Sequence, residues 1–178
     1  MRASRISWAL NLLVWISLGL IGLMAGFFYA YSVSVMVGLR ETSDVTFIET
    51  MQWINATVRN VWFGSAFFGA LVVSGVTTVV AWVSGARKTG MWMVMAFVFY
   101  AAAFGITFGF SVPLNNELRD AGEIAAMTNP AAIRAEYEDP WVRWNNLRTI
   151  ANTISLLAMG GAMRELGRLD RSWRAEET

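Results

Sequence analysis

The chain of 178 residues contains no histidine and no cysteine, and only 15% of its residues are charged. Without cysteine, thiol–disulfide exchange is impossible. Without either residue, zinc and copper sites of the usual kind are excluded, and so is haem ligation through histidine. We therefore expect no metal site of these kinds, and acid–base chemistry falls to carboxylates, tyrosine or lysine. A basic arm is also missing, so nucleic acid is not an expected partner.

Long uncharged stretches separate the few charged residues, at 8–39, 61–86, 89–116 and 149–163. A hydrocarbon core about 30 Å thick requires about 20 mostly apolar residues in helical form. Only helices and closed barrels pair all their backbone groups in lipid, and these runs lack the alternation of barrel strands. The sequence therefore predicts an all-α membrane protein, a single domain of residues 1–178 that forms a bundle of four transmembrane helices. The predicted helices cover about 7–38, 44–84, 90–112 and 141–169, with an outer loop at 113–140.

The charges that flank these helices indicate an orientation. The two ends of the chain and the turn at Arg87 and Lys88 hold eight basic residues, whereas the other side holds six basic and nine acidic residues. Because basic residues favour the cytoplasm, both termini are predicted to be cytoplasmic, in the inner or plasma membrane of a bacterial cell with lipid as a partner. The basic start that leads into the first apolar run is interpreted as an uncleaved helix, with a cleaved signal peptide as the alternative.

Polar side chains concentrate at the predicted outer ends of the helices. Gln52, Asn55 and Arg59 follow a spacing of i, i+3 and i+7, which places them on one helical face. On helix 4, Trp141, Asn145, Arg148 and Asn152 lie at i, i+4, i+7 and i+11, again on one face. Since neighbouring helices alternate in direction, these faces and Asn115 are expected to meet at one end of the bundle. The amides could equally cap helices or bridge them by hydrogen bonds.

Arg148 is the most informative single residue. The 15 residues between Arg148 and Arg164 span about 22 Å as a helix, less than the hydrocarbon thickness, so Arg148 is drawn toward the membrane. An ionisable group there is a functional-site hypothesis by default. Its side chain could line a ligand pocket, reach lipid headgroups, or pair with Glu49 or Glu117 to hold the bundle together.

Several stretches together resemble the anthrone-oxygenase-like family of small four-helix membrane proteins. They are GFFYAYSVSVMVGL, FIETMQWINATVRNVWF, FSVPLNNEL and WVRWNNLRTIAN, which include a Met-Gln-x-Ile-Asn segment at 51–55, Pro-Leu-Asn at 113–115, and a final segment from Trp141 to Arg148. The resemblance implies oxygenation of anthrones to anthraquinones without a metal or flavin. Many relatives carry histidine two residues before the arginine, where this chain has Asn146.

The resemblance and the polar cluster lead to one functional hypothesis. It is a cofactor-independent monooxygenase in which a small aromatic or polycyclic phenol loses a proton and the anion reacts with O2. Arg148, Asn115 and Asn55 would stabilise the anion, and Glu49, or Glu117 in its place, would be the base. The substrate-binding candidates are Tyr29, Gln52, Trp141, Trp144, Asn145 and Asn152.

Two other functions stay open at this point. A non-catalytic accessory or scaffolding subunit would pack on a membrane protein partner, or on a second copy, through the small residues Gly22 and Gly26. A small transporter is the third, although no helix carries a charge at mid-membrane, where coupling groups are expected.

Overall fold

The computed structural model describes the backbone of residues 2–176 and the side chains of 8–169 and 171, and all its regular elements are helices. Two long helices each contain one π-helical turn, Tyr31–Val35 in the first and Thr107–Ser111 in the second. The α-helices are α1 (Arg2–Ala30), α2 (Met36–Arg40), α3 (Asp44–Thr57), α4 (Val61–Val83), α5 (Arg87–Ile106), α6 (Val112–Asp120) and α7 (Pro130–Glu176). A short 3₁₀ turn at Ile124–Ala126 precedes α7.

Among the described residues, three helical segments are long and apolar enough to cross a membrane: Trp8–Arg40, Val61–Val83 and Arg87–Asp120. They indicate an integral membrane protein. α7 packs mainly on α5 and α1, so it is a fourth member of the bundle. A fourth membrane crossing by α7 and the cytoplasmic position of both termini stay predictions.

The helices contact one another through small residues and a few polar bonds. Ser17 bonds to Thr77 at 3.0 Å between α1 and α4, and Ser155 donates to the carbonyl of Ala96 at 2.8 Å between α7 and α5. The ring of Trp92 lies so close to Gly161 that an added Cβ would meet it at 2.4 Å. Since lipid supplies no hydrophobic force between helices, such close packing and interhelical bonds hold a membrane bundle together.

The structure divides the predicted helix 44–84 into α3 and α4, with a break at 58–60. Asn60 causes the break: its side-chain oxygen accepts hydrogen bonds from the backbone amides of Trp62 and Phe63, both at 3.0 Å. An asparagine that satisfies free amides in this way starts a new helix. Asn60 is therefore a cap, and α3 and α4 are two separate helices.

The helix predicted to end before Pro113 continues to Asp120, and the predicted outer loop 113–140 is largely helical. Pro113 is tolerated because it lies in the first turn of α6, where a missing N–H costs little. The π turn before it has already interrupted the α-helical bonding. α7 begins at Pro130, where the side chain of Asn129 accepts a bond from the amide of Ala132 at 3.2 Å, and it passes through Pro140.

An ion-pair network fixes the first turns of α7 to α2 and α3. Arg134 donates to Glu138 at 2.7 Å and to Asp44 at 3.1 Å, and its guanidinium lies 4.5 Å from the ring centre of Phe47. Glu138 also accepts from Arg40 at 3.0 Å. Burial alone would raise the pKa of Glu138, but the hydrogen bonds from Arg134 and Arg40 keep it below its ordinary value. We call these four charged residues the clasp.

The clasp predicts how stability depends on pH. A carboxylate whose pKa is lowered by folding stabilises the protein above its unfolded pKa, and this contribution is lost as the pH falls through the folded pKa. Glu138→Gln should lower the free energy of unfolding at pH 7 by about 1–3 kcal/mol. Its stability should also decline less than that of wild type as the pH falls below about 4.

Thermal unfolding in detergent between neutral and acid pH measures this difference, with the exposed Glu136→Gln as the matched control. Parallel pH profiles for wild type and Glu138→Gln would contradict the role of the clasp.

Candidate functional site

A cavity of 650 Å³ opens at the end of the bundle that holds α2, α3, α6 and the first turns of α7. Its volume falls in the range of about 300–1,000 Å³ typical of small-molecule sites. The last turns of α1, the α3–α4 break, the second π turn with α6, and α7 surround it. Eight aromatic residues line it: Phe27, Phe28, Tyr31, Phe63, Phe67, Phe68, Phe108 and Trp141.

Both π turns lie beside this cavity. Tyr31 comes from the first, while Thr107, Phe108 and Ser111 come from the second. A π turn shifts the following side chains around the helix and often marks a functional site. No sequence pattern predicted these turns, so the contributions of Tyr31, Thr107 and Ser111 were missed.

The Arg148 guanidinium is buried in the wall of the cavity and has no negative partner within the described part of the chain. The residue is 5% exposed. It donates to the side-chain oxygen of Asn145 at 3.1 Å and to the hydroxyl of Thr107 at 3.5 Å. Its charged carbon lies 4.5 Å from the ring centre of Phe28 and 5.5 Å from that of Trp141. Among the described residues, no carboxylate forms an ion pair with it.

This burial decides between the alternatives for Arg148. A side chain that is 5% exposed does not extend to lipid headgroups. Neither Glu49 nor Glu117 pairs with it, because both are exposed and neither lines the cavity. Glu49 is six residues from Asn55, so the two side chains are about 120° apart around α3. Glu49 and Glu117 are therefore not placed to act as the base at this cavity.

A hydrogen-bonded chain joins Asn55 to Asn115 through Tyr137. Asn55 donates to the Tyr137 oxygen at 3.2 Å, and Tyr137 donates to the side-chain oxygen of Asn115 at 2.9 Å. The indole N–H of Trp141 donates to the same Asn115 oxygen at 2.9 Å. Burial raises the pKa of the Tyr137 hydroxyl, so it keeps its proton and remains a donor. Tyr137 precedes Trp141 by four residues, so its helical spacing could have identified it.

Asn145 fixes Arg148 from the other side. It is 1% exposed and donates to the carbonyl of Phe28 at 3.1 Å and to the hydroxyl of Ser32 at 2.9 Å. Its side-chain oxygen is thereby oriented to accept from Arg148. The structure thus brings Arg148, Asn145, Asn115, Asn55 and Trp141 to one cavity, as their helical spacing predicted.

Two polar atoms in the cavity wall lack a partner. The hydroxyl of Ser111 and the Nε of Arg148 are buried and make no hydrogen bond. Leaving a buried polar group unpaired costs about 1–3 kcal/mol. Such groups are ordinarily satisfied by protein, water or a ligand. Both residues line the cavity, but these two atoms themselves are enclosed by the surrounding protein.

Two of the aromatic candidates do not line the cavity. Tyr29 is 56% exposed on the outer surface of α1. Trp144 stacks on Phe110 with ring centres 3.7 Å apart, on the face of α7 that lies away from the cavity. In this turn of α7, the side chains that face the cavity are those of Trp141 and Asn145, and Trp144 lies beside them on another face.

Two of the amide candidates bind backbone carbonyls instead of lining the cavity. Gln52 donates to the carbonyls of Leu118 and Gly122 at 2.9 and 3.0 Å, which ties α3 to the end of α6. Asn152 donates to the carbonyl of Arg148 at 2.9 Å, one turn below the cavity. Both side chains support the site structurally. Asn146, at the position where many relatives have histidine, is exposed.

The family model for anthrone oxygenase matches residues 59–158. The chain belongs to the anthrone oxygenase family. The matched region contains α4, α5, α6 and the part of α7 that carries Trp141, Asn145 and Arg148, and it also contains Asn115. It leaves out α3 and therefore Asn55. No curated protein and no solved structure matches the chain.

The burial of an unpaired guanidinium makes a prediction about stability. Arg148→Met breaks no ion pair but leaves the buried Asn145 side-chain oxygen unpaired, so the free energy of unfolding should fall by less than about 3 kcal/mol. Arg134→Met removes a cation that is paired with two carboxylates and should lower it by about 3–5 kcal/mol. Thermal unfolding of both variants in the same detergent makes the comparison. A loss for Arg148→Met as large as that for Arg134→Met would show that Arg148 is structural.

Proposed function

We propose that the cavity binds a small phenolic polycycle similar to an anthrone as its anion, and that the bound anion reacts with O2 without a metal or flavin. One observation carries this proposal: a buried guanidinium that has no counter-charge among the residues with described side chains lines a cavity rich in aromatic rings. Such a cation favours an anionic ligand, and the surrounding rings favour an aromatic one. Family membership gives the reaction class.

The reaction balances without an added reductant. The substrate has a methylene carbon between two aromatic rings, opposite a carbonyl. Loss of one methylene proton gives an anion whose charge lies largely on the carbonyl oxygen. The anion transfers electrons to O2, and a carbon–oxygen bond forms at the former methylene carbon. Loss of the second proton from that carbon breaks the oxygen–oxygen bond, so that a quinone carbonyl and water form. The substrate loses four electrons and O2 gains four.

The cavity supplies donors to the anionic oxygen. Arg148 and Ser111 both line the cavity, so their side chains would donate to this oxygen. Oriented donors in a site that excludes water act strongly on developing charge. The nearby positive charge also lowers the pKa of a bound phenol or enol. None of the described residues that line the cavity is a carboxylate, so the first proton passes to water at the mouth.

We place this cavity at the outer face of the bacterial plasma membrane. In this arrangement α7 makes a fourth crossing through its uncharged segment 149–163, and both termini are cytoplasmic. The basic turn at Arg87 and Lys88 lies near Arg168, at the opposite end of the bundle from Arg148. The excess of basic residues on that side of the bundle, eight against six, supports the orientation. Lipid surrounds the bundle, and an apolar substrate is concentrated there.

Oxygen uptake tests the proposed activity. Purified protein in detergent, supplied with an anthrone, should consume O2 and form one anthraquinone for each O2. Arg148→Gln should lower the rate about 100-fold or more, as removal of an oriented donor does at other oxyanion sites. Arg143→Gln, on the same helix but exposed and outside the cavity wall, should react like wild type. Equal rates for wild type and Arg148→Gln would reject the enzymatic proposal.

A scaffolding role through helix α1 has less support. Gly22, one of the two small residues invoked for it, faces Leu156 of α7, whose Cδ1 lies 3.8 Å from the position of an added Cβ. That part of the small-residue face is thus used within the chain. Gly26 remains exposed and could contact a second copy.

A further inference from the structure

Two more arginines line the mouth of the same cavity. Arg59 and Arg119 both donate to the side-chain oxygen of Asn116, each at 3.3 Å. Arg119 also pairs with Asp120 at 2.8 Å, but Arg59 forms no ion pair among the described residues. We call Arg59, Asn116 and Arg119 the rim. Counting Arg148, three arginines and no acidic residue line the cavity.

The local backbone brings the rim together. Arg59 lies in the break between α3 and α4, directly before the capping residue Asn60. Asn116 and Arg119 lie on α6, the helical segment that contains Pro113 in its first turn and continues to Asp120. α4 packs chiefly on α5 and α1. The mouth lies between the start of α4 and α6, with Arg59 on one side of it and the Arg119–Asp120 ion pair on the other.

Aromatic side chains of the cavity separate the guanidinium of Arg148 from the two arginines of the rim. Arg148 is buried inside, whereas the rim arginines are exposed at the mouth. A ligand that satisfies both ends has an aromatic body and two acidic groups. An arginine pair suits a carboxylate, because each guanidinium can donate two parallel N–H bonds to it.

We propose that the cavity selects hydroxylated aromatic carboxylic acids, with the carboxylate held by Arg59 and Arg119 at the rim and the phenolic or enolic oxygen at Arg148. This inference rests on the proposed function for the position of the reacting oxygen. It adds that the ligand carries an acidic substituent. The rim arginines bind this substituent, and tight binding depends on it.

The test compares two ligands that O2 does not oxidise: a dihydroxyanthraquinone and the same compound with one ring carboxylate. Binding is followed by quenching of tryptophan fluorescence in neutral detergent. Wild type should bind the carboxylate about 5- to 20-fold more tightly, the gain expected for two partly exposed charge pairs. In Arg59→Gln with Arg119→Gln, the ratio should fall to about 1, while the affinity for the uncharged compound stays unchanged. Arg143→Gln should keep the wild-type ratio.

The outcomes separate the two proposals. If both ligands bind wild type equally, the rim has no role in selection, and the inference fails while the oxygenase proposal stands. If neither ligand binds, both proposals fail. A carboxylate preference that phosphatidylglycerol in the micelles abolishes would assign the rim to lipid phosphate and overturn the inference. The unchanged affinity for the uncharged compound shows that the double variant is folded.

Discussion

The guanidinium of Arg148, buried without a carboxylate, is the constraint on which the site depends. A lone charge in an apolar interior is costly, and here two hydrogen bonds and two aromatic faces compensate for part of that cost. Asn145 holds the guanidinium from α7, and the carbonyl of Phe28 and the hydroxyl of Ser32 hold Asn145 in turn. The protein thus maintains a positive charge that nothing in the described chain neutralises, as expected of a site that receives an anion.

Irregular backbone surrounds this charge. The two π turns and the break at 58–60 all lie at the cavity. In a membrane bundle, departures from α-helical bonding are tolerated where the backbone is buried in protein or lines a cavity. At these departures, side chains from α1, α3, α6 and α7 face one space. The clasp then keeps the first turns of α7, with Tyr137 and Trp141, against the other helices.

Helical spacing was sufficient to predict part of this site. The shared face of Trp141, Asn145 and Arg148 follows from the 3.6-residue repeat, and alternating helix directions bring it to Asn55 and Asn115. The 3.6-residue repeat shows which residues share one face of a helix, but it does not show which neighbouring helix that face contacts. For this reason Glu49, Tyr29 and Trp144 were assigned to a cavity that they do not line. The π turns have no comparable signature in a single sequence, which is why Ser111 and Thr107 were missed. The helix was predicted to end before Pro113, because the π turn that precedes this proline could not be foreseen.

The most direct test of the account is the pKa of a phenol bound in the cavity. A hydroxyxanthone absorbs at longer wavelength as its anion and does not react with O2, so its ionisation can be followed by absorbance with and without the protein. Burial in an apolar cavity alone would raise the pKa of the phenol, whereas an unpaired guanidinium beside it would lower the pKa. The account predicts a bound pKa at least about one unit below that in empty micelles of the same detergent. An unchanged or raised value would contradict it, because Arg148 would then not stabilise the anion.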